Sequence, residues 1–105
     1  MIIKYNKAVR DKIPEIIRVT GATCKIKQLD DNEFLTALER KLVEEVKEYN
    51  ESKSVEELID LIEIIDRILE LKKINQDEFY TMRVFKAKKR GKFRSNIFLL
   101  EVNEN

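Results

Sequence analysis

The sequence predicts a mainly α-helical fold with a small two-stranded β ribbon, and three features of the chain indicate it. Of the 105 residues, 43% are hydrophobic, which is enough to form the core of one domain over residues 1–105. Charged residues make up 39%, and there are only two glycines and one proline, as is typical of long helices. Apolar residues also recur at helical spacing through the middle of the chain.

The first half of the chain predicts a short helix, a strand and a long helix. Residues 9–20, followed by Gly21, predict a short helix or a turn-rich arm. Residues 22–29 alternate in polarity and predict a strand. Acidic residues from Asp30 onward can cap a helix over about 32–51.

The second half predicts two further helices and a closing strand. After a polar break, the apolar spacing predicts a long helix over residues 55–73. A third helix begins at Asn75 or Asp77 and runs to about residue 89, where Gly91 ends it. Residues 93–102 predict a strand that pairs with the earlier one, which would complete the ribbon.

The composition excludes several classes of protein. There is no histidine and one cysteine, Cys24, which excludes a Cys/His zinc site, a histidine-based catalytic triad and an intrachain disulfide framework. The opening residues 1–5 are too short for the apolar region of a signal peptide, and no apolar run approaches the roughly 20 residues that span a bilayer. We therefore expect a soluble cytoplasmic protein without membrane contacts.

The formal net charge of +1 hides a strong separation of charge along the chain. Residues 30–66 carry 13 acidic and four basic side chains, a net charge of −9. Residues 83–94 carry seven basic side chains and no acidic one. The first twelve residues carry four basic side chains and one acidic one. This pattern fits ordinary solvated helix faces, or an acidic centre that binds cations between basic segments that bind phosphates.

The predicted helix over 32–51 has an apolar stripe about 120° wide that includes an acidic residue. Glu45 lies inside the stripe, Glu48 lies just off its edge, and Glu44 points further round toward solvent. A carboxylate on an apolar face is costly unless it is paired or bound to a metal ion. The stripe consists of Phe34, Leu35, Leu38, Leu42, Val46 and Tyr49.

The predicted helix over 55–73 carries apolar residues over an arc of about 240°. This arc is too wide for a surface helix of so small a protein, so we expect a homo-oligomer, a dimer or a tetramer, in which copies cover this helix. Glu57 and Asp66 lie within the arc, and Asp60 lies at its edge.

Acidic residues on these two helices occur in pairs three residues apart, and each pair therefore shares one helix face. Glu45 and Glu48 form one pair, and Glu57 and Asp60 form another. Two antiparallel helices can direct four such carboxylates at one point, where they cannot all stay ionised unless a cation neutralises them. Their oxygen ligands suit Mg²⁺ or Mn²⁺.

These acids also have other interpretations. Glu57 lies three residues after Ser54, as in a capping box. Glu63 and Asp66 repeat the three-residue spacing, so spacing alone does not choose between the two pairs on this helix. Asp66 could instead pair with Arg40 or with an arginine of a neighbouring chain.

Four short motifs follow one another along the chain. They are YNKAVRDKIPEII at 5–17, KLVEEVKE at 41–48, EELIDLIEII at 56–65 and KKRGKF at 88–93. In this order they resemble the opening, the EExxE helix, the ExxD helix and the basic end of small MazG-like nucleotide pyrophosphohydrolases, a subgroup described as house-cleaning or phosphoribosyl-ATP pyrophosphohydrolase-like. Ala8 and Lys92 depart from the pattern, because a larger aliphatic residue and a second glycine are usual there.

The resemblance implies a MazG-like helical core in which helix pairs from two chains form a four-helix bundle. It implies Mg²⁺-dependent cleavage of a nucleoside triphosphate to a monophosphate and pyrophosphate, in the house-cleaning of non-canonical nucleotides. By motif, the metal ligands are Glu45, Glu48, Glu57 and Asp60, so the resemblance makes the choice that spacing leaves open. The attacking water is then held by Glu44 or Glu48.

The basic segments on either side of the acidic centre are expected to bind substrate phosphates, through Lys7, Arg10, Lys12, Lys88 and Arg90. A narrower alternative is a phosphoribosyl-ATP pyrophosphohydrolase of histidine biosynthesis. An alternative of another class is a non-catalytic regulatory module that binds nucleotides or, through residues 83–94, nucleic acid. Binding of nucleic acid is disfavoured because the acidic centre would repel its phosphate backbone.

Overall fold

A computed structural model describes residues 1–104, which contain four α-helices. The chain groups into two compact units, one comprising Met1–Ile74 and the other beginning at Asn75. The helices are α1 (Ile13–Val19), α2 (Asp31–Ser52) and α3 (Val55–Leu71) in the first unit and α4 (Gln76–Arg90) in the second. The prediction of a mainly helical protein is confirmed, and that of a single domain stays a prediction.

Helices α2 and α3 form an antiparallel hairpin with a two-residue connection. Asp30 caps α2 because its carboxylate accepts a hydrogen bond from the backbone N–H of Glu33 (2.8 Å), and its own N–H donates to the Glu33 carboxylate. Lys53 ends α2 in a left-handed conformation, with φ 58°. Ser54 then begins α3 by accepting a hydrogen bond from the N–H of Glu56 (3.2 Å).

The core of the first unit lies between α2, α3 and the segment that precedes α1. Its buried residues are Leu38 of α2, Ile64 of α3 and Ala8 of the N-terminal segment. Half-buried apolar side chains pack around them, namely Phe34, Ala37, Leu42, Ile68 and Leu71. Because Ala8 is buried, Lys7 before it and Arg10 after it are held beside the helix hairpin.

The ends of α1 and α4 agree with the turn residues of the sequence. Pro14 lies in the first turn of α1, and Gly21, with φ 91°, follows its last turn. Asn75 caps α4 by accepting a hydrogen bond from the N–H of Glu78 (2.8 Å), and Gly91 ends it. None of the helices described, α1 to α4, is both long enough and apolar enough to cross a membrane.

The prediction of a two-stranded β ribbon is wrong, because no strand is present within residues 1–104. Residues 22–29 and 93–102 have no regular secondary structure. Alternating polarity indicates that an extended segment could bury one of its two faces. A β-strand also needs a neighbouring strand to which its backbone can hydrogen-bond. A ribbon of two strands is only marginally stable even when both are present.

Candidate functional site

Glu45 is an acidic side chain that α2 directs into the core of the first unit. It is 5% exposed, and its Oε2 atom has no hydrogen-bond partner. A buried carboxylate oxygen without a partner is costly, so it marks a position where a proton or a cation is expected to compensate. The place of Glu45 within the apolar stripe of α2 is the feature of the sequence that predicts this burial.

The neighbours of Glu45 include two further carboxylates. Burial is the main cause of the raised pKa of Glu45, and the negative charges of Glu48 and then Asp60 raise this pKa further. The positive charge of Lys41 acts in the opposite direction without cancelling them. Glu48 of α2 and Asp60 of α3 therefore lie close enough to Glu45 for their charges to raise its pKa, and we call these three acids the carboxylate cluster.

The fourth expected ligand, Glu57, has a partner of its own. Its Oε2 accepts a hydrogen bond from the hydroxyl of Ser52 (3.0 Å), at the junction of α2 and α3. The hydroxyl oxygen of Ser54 accepts a hydrogen bond from the backbone N–H of Glu56 and not from that of Glu57, so the alternative capping box with Glu57 is not formed. Within the described chain, no group of three or more cysteine or acidic side chains is arranged to hold one metal ion as the structure stands.

Arg10, from the N-terminal segment, places a positive charge against this carboxylate cluster. Its Nη2 donates a hydrogen bond to Oδ1 of Asp60 over 2.6 Å, and this bond is the main cause of the raised pKa of Arg10. The charges of Glu63 and Glu45 raise the pKa of Arg10 as well. The guanidinium is thus a counter-ion shared by acids of both helices, with its strongest contact on α3.

A second ion pair joins the same segment to α2. Lys7 Nζ donates a hydrogen bond to Oε1 of Glu44 over 3.1 Å, and the two side chains are 36% and 39% exposed. Glu44 is therefore partly exposed to solvent and is paired with a lysine of the N-terminal segment. The helical arrangement of α2 could not anticipate this pair, because the partner comes from a segment 37 residues away.

The other cations expected to bind phosphate are exposed. Lys12 immediately precedes α1, while Lys88 and Arg90 lie in the last turn of α4, in the second unit. Cations at a helix C-terminus interact favourably with the helix dipole, whatever else they bind. Lys88 and Arg90 therefore stabilise the end of α4.

A cavity of about 410 Å³, which no motif of the sequence predicted, lies between the N-terminal segment and α2. Its lining consists of Lys4, Tyr5, Asn6, Lys7, Ala37, Arg40, Lys41 and Glu44. The sequence does indicate one wall of this cavity, because the four lining positions on α2 have the spacing of a single helix face. The spacing gives no indication of the segment that forms the opposite wall.

Comparison with known proteins gives a partial similarity. Over 40 residues, 38% of this chain, the sequence is 55% identical to an uncharacterized protein of Mycolicibacterium smegmatis (strain ATCC 700084 / mc(2)155). The match covers 41% of that protein, so the chain spans about two fifths of the length of the curated relative it matches. No known protein family and no solved structure matches the chain.

Proposed function

We propose that this chain is a Mg²⁺-dependent nucleoside triphosphate pyrophosphohydrolase of the MazG-like type. The observation that supports this most directly is the buried, unpartnered Oε2 of Glu45 beside Glu48 and Asp60. Acids in such a position suit a divalent cation, and the cationic N-terminal segment that packs beside them suits a substrate that carries phosphates.

The chemistry of the carboxylate cluster fits a hard divalent cation. Glu45, Glu48 and Asp60 supply oxygen atoms, and a bound cation would satisfy the orphaned oxygen of Glu45. Glu57 completes the ligand set on the strength of the family resemblance. When bound, Mg²⁺ (or Mn²⁺) would neutralise charge on the substrate phosphates, which phosphoryl transfer requires.

The proposed reaction is hydrolysis at the α-phosphorus. The oxygen of a water molecule bonds to this phosphorus, and the bond to the oxygen that bridges the α- and β-phosphates breaks, releasing pyrophosphate. The proton of the water passes to a carboxylate, since the chain has no histidine. Because Glu44 Oε1 already accepts a hydrogen bond from Lys7, we assign the proton to Glu48.

Self-association through α3 is part of this proposal. Leu58, Ile59 and Ile62 lie on α3 and are between 41% and 60% exposed. A second copy of the chain that packed its own α3 against them would bury this apolar surface and give a helical bundle. The dimer is the smallest assembly that meets this requirement.

The decisive measurement is the release of pyrophosphate from a panel of triphosphates, with Mg²⁺ and with EDTA. The panel contains canonical, deoxy and damaged nucleoside triphosphates, together with phosphoribosyl-ATP. We expect Mg²⁺-dependent release of pyrophosphate from at least one nucleoside triphosphate. Turnover of phosphoribosyl-ATP alone would favour the histidine-biosynthesis enzyme instead.

The site is tested by Glu45→Gln, which keeps the shape of the side chain but removes its charge. We expect the turnover number to fall at least about a hundredfold, because the variant no longer offers an anionic ligand at the buried position. Glu51→Gln, an exposed substitution on the same helix, is the matched control and should retain wild-type turnover. Equal turnover in both variants would contradict the assignment of Glu45.

A second function is favoured by one observation, the exposure of all seven basic residues of 83–94. A non-catalytic module that binds nucleic acid through this run would show affinity that falls steeply with salt concentration. It would release no pyrophosphate from any triphosphate of the panel. The two functions are therefore separated by the same set of experiments.

A further inference from the structure

The cavity between the N-terminal segment and α2 has an excess of positive charge. Four of its lining residues are cationic, and Glu44 is the single acid among them. Lys7 neutralises Glu44 through the ion pair described above, which leaves Lys4, Arg40 and Lys41 without a paired charge. Within residues 1–104, no ion pair includes any of these three cations.

Two separate parts of the chain build this cavity. Ala37, Arg40, Lys41 and Glu44 form one wall, on a single face of α2. The opposite wall is the segment from Lys4 to Lys7, which turns at Asn6, a residue in the left-handed conformation with φ 47°. The buried Ala8 and the Lys7–Glu44 pair hold this segment in place, so the cations are presented by an ordered frame.

The three unpaired cations repel one another, and an anion in the cavity would relieve that repulsion. A single phosphate could satisfy only part of this charge, whereas a triphosphate chain carries enough negative charge to satisfy all three. The volume of about 410 Å³ lies within the range of small-molecule sites. One lining residue, Lys41, lies close enough to Glu45 for its charge to act against the raised pKa of that acid, so the cavity adjoins the carboxylate cluster.

We propose that this cavity is the binding site for the triphosphate chain of the nucleotide, with Lys4, Arg40 and Lys41 as its phosphate ligands. This inference rests on the proposed function, and it adds three residues that the family motifs do not assign. It also assigns different roles to different cationic side chains. Arg10 neutralises Asp60, whereas the cavity residues bind the substrate.

The aromatic ring of Tyr5 adds a second element of recognition at the same place. It is the one aromatic side chain among the lining residues, and it is exposed. Lys7 Nζ lies 5.6 Å from the centre of the ring, so the ring also helps to position that lysine. An exposed ring at the edge of a triphosphate site can stack on a nucleobase, which an inorganic polyphosphate lacks.

The proposal is tested by the binding of inorganic tripolyphosphate, measured by isothermal titration calorimetry in metal-free buffer at physiological ionic strength. We expect Arg40→Gln and Lys4→Gln each to weaken binding about tenfold or more, because each removes a charged hydrogen-bond donor to phosphate. Lys47→Gln is the control, since it removes the same charge from an exposed position of α2 outside the cavity. Circular dichroism verifies that every variant is folded.

The outcomes distinguish this inference from the proposed function. Equal affinities in Arg40→Gln and Lys47→Gln, or no binding by the wild type, would overturn the inference. If the wild type releases pyrophosphate from a triphosphate while Arg40→Gln leaves KM unchanged, the inference fails and the hydrolase stands. If Arg40→Gln abolishes binding of tripolyphosphate but no triphosphate is hydrolysed, the cavity stands and the hydrolase fails.

A further arm separates a nucleotide from an inorganic polyphosphate. Tyr5→Ala should weaken the binding of nucleoside triphosphates more than that of tripolyphosphate, because only the nucleotide has a base to stack on the ring. Equal losses for both ligands, or no loss for either, would overturn the assignment of a nucleotide to this site.

Discussion

Glu45 is the residue on which the chemistry of the proposed site depends most. Its carboxylate is buried in a small core, one oxygen lacks a partner, and two other acids raise its pKa. An apolar residue at this position would pack into the core without that cost. An acid at this position is therefore costly to the fold unless a cation binds there, as we propose.

The pKa shift of Glu45 predicts how stability changes with pH in the absence of metal. The pKa is raised in the folded state above about 4.3, the value of an unfolded glutamate. Between these two values the folded state binds more protons than the unfolded state, so this group makes the free energy of unfolding decrease as pH rises. Glu45→Gln cannot ionise and should lose this contribution.

Urea denaturation in EDTA, at intervals from pH 4 to 8, measures the effect. We expect the free energy of unfolding of Glu45→Gln, relative to wild type, to increase with pH and then to level off above the raised pKa. The exposed variant Glu51→Gln, on the same helix, is measured in parallel as the control. A constant difference for Glu45→Gln would contradict the raised pKa.

For individual residues, the sequence predicts those features that depend on one helix alone, such as which side chains lie on its buried face. The apolar stripe of α2 is sufficient to place Glu45 on the buried face. The partners of Asp60 and Glu44 were not predictable in the same way, because Arg10 lies 50 residues from Asp60 and Lys7 lies 37 residues from Glu44. Such contacts depend on where an irregular segment crosses the helices, and no local pattern encodes that path.

Among the elements, the hairpin of α2 and α3 carries the core and the carboxylate cluster together. Leu38 of α2 contacts Ile64 of α3 and Ala8, so the same packing holds both helices and the N-terminal segment. Loosening this contact should therefore affect stability and the carboxylate cluster at the same time.

Leu38→Ala should lower the free energy of unfolding by about 2–5 kcal/mol, the usual range when a buried leucine is truncated and a cavity remains. Thermal or urea denaturation measures the change. Val43→Ala, on the exposed side of α2, should change stability by no more than about 0.5 kcal/mol. Similar losses in the two variants would contradict the assignment of Leu38 to the core.

The elements themselves differ in how well the sequence predicts them. The helices were predictable because each capping side chain accepts a hydrogen bond from a backbone N–H only two or three residues further along the chain. Asp30, Ser54 and Asn75 are such caps. The strands over 22–29 and 93–102 were not, because alternation of polarity says nothing about a partner. Glu57 shows an intermediate case, since its spacing was clear but its hydrogen bond to Ser52 was not predicted.

For the whole molecule, the exposed apolar side chains of α3 are the strongest indication of self-association. Ile62→Lys places a charge in the middle of this surface, and we expect it to shift the protein from a dimer or tetramer to a monomer. Size-exclusion chromatography with light scattering, over a range of concentrations, measures the assembly. Val19→Lys, at an exposed apolar position of α1, is the control and should leave the assembly unchanged.

A monomeric wild type at every concentration would contradict self-association. It would leave the carboxylate cluster and the cavity unaffected, because both are built entirely from residues of the first unit. The question of assembly can therefore be answered independently of the questions of metal and phosphate binding.

The segment around Ala8 crosses the hairpin and connects its two helices, because Lys7 forms an ion pair with α2 and Arg10 forms one with α3. Three residue steps reach at most about 10 Å, close to the usual distance of about 8–10 Å between the axes of packed helices. We expect an inserted or deleted residue between Lys7 and Arg10 to disrupt one of the two ion pairs. The number of residues between Lys7 and Arg10 is therefore matched to the separation of α2 and α3.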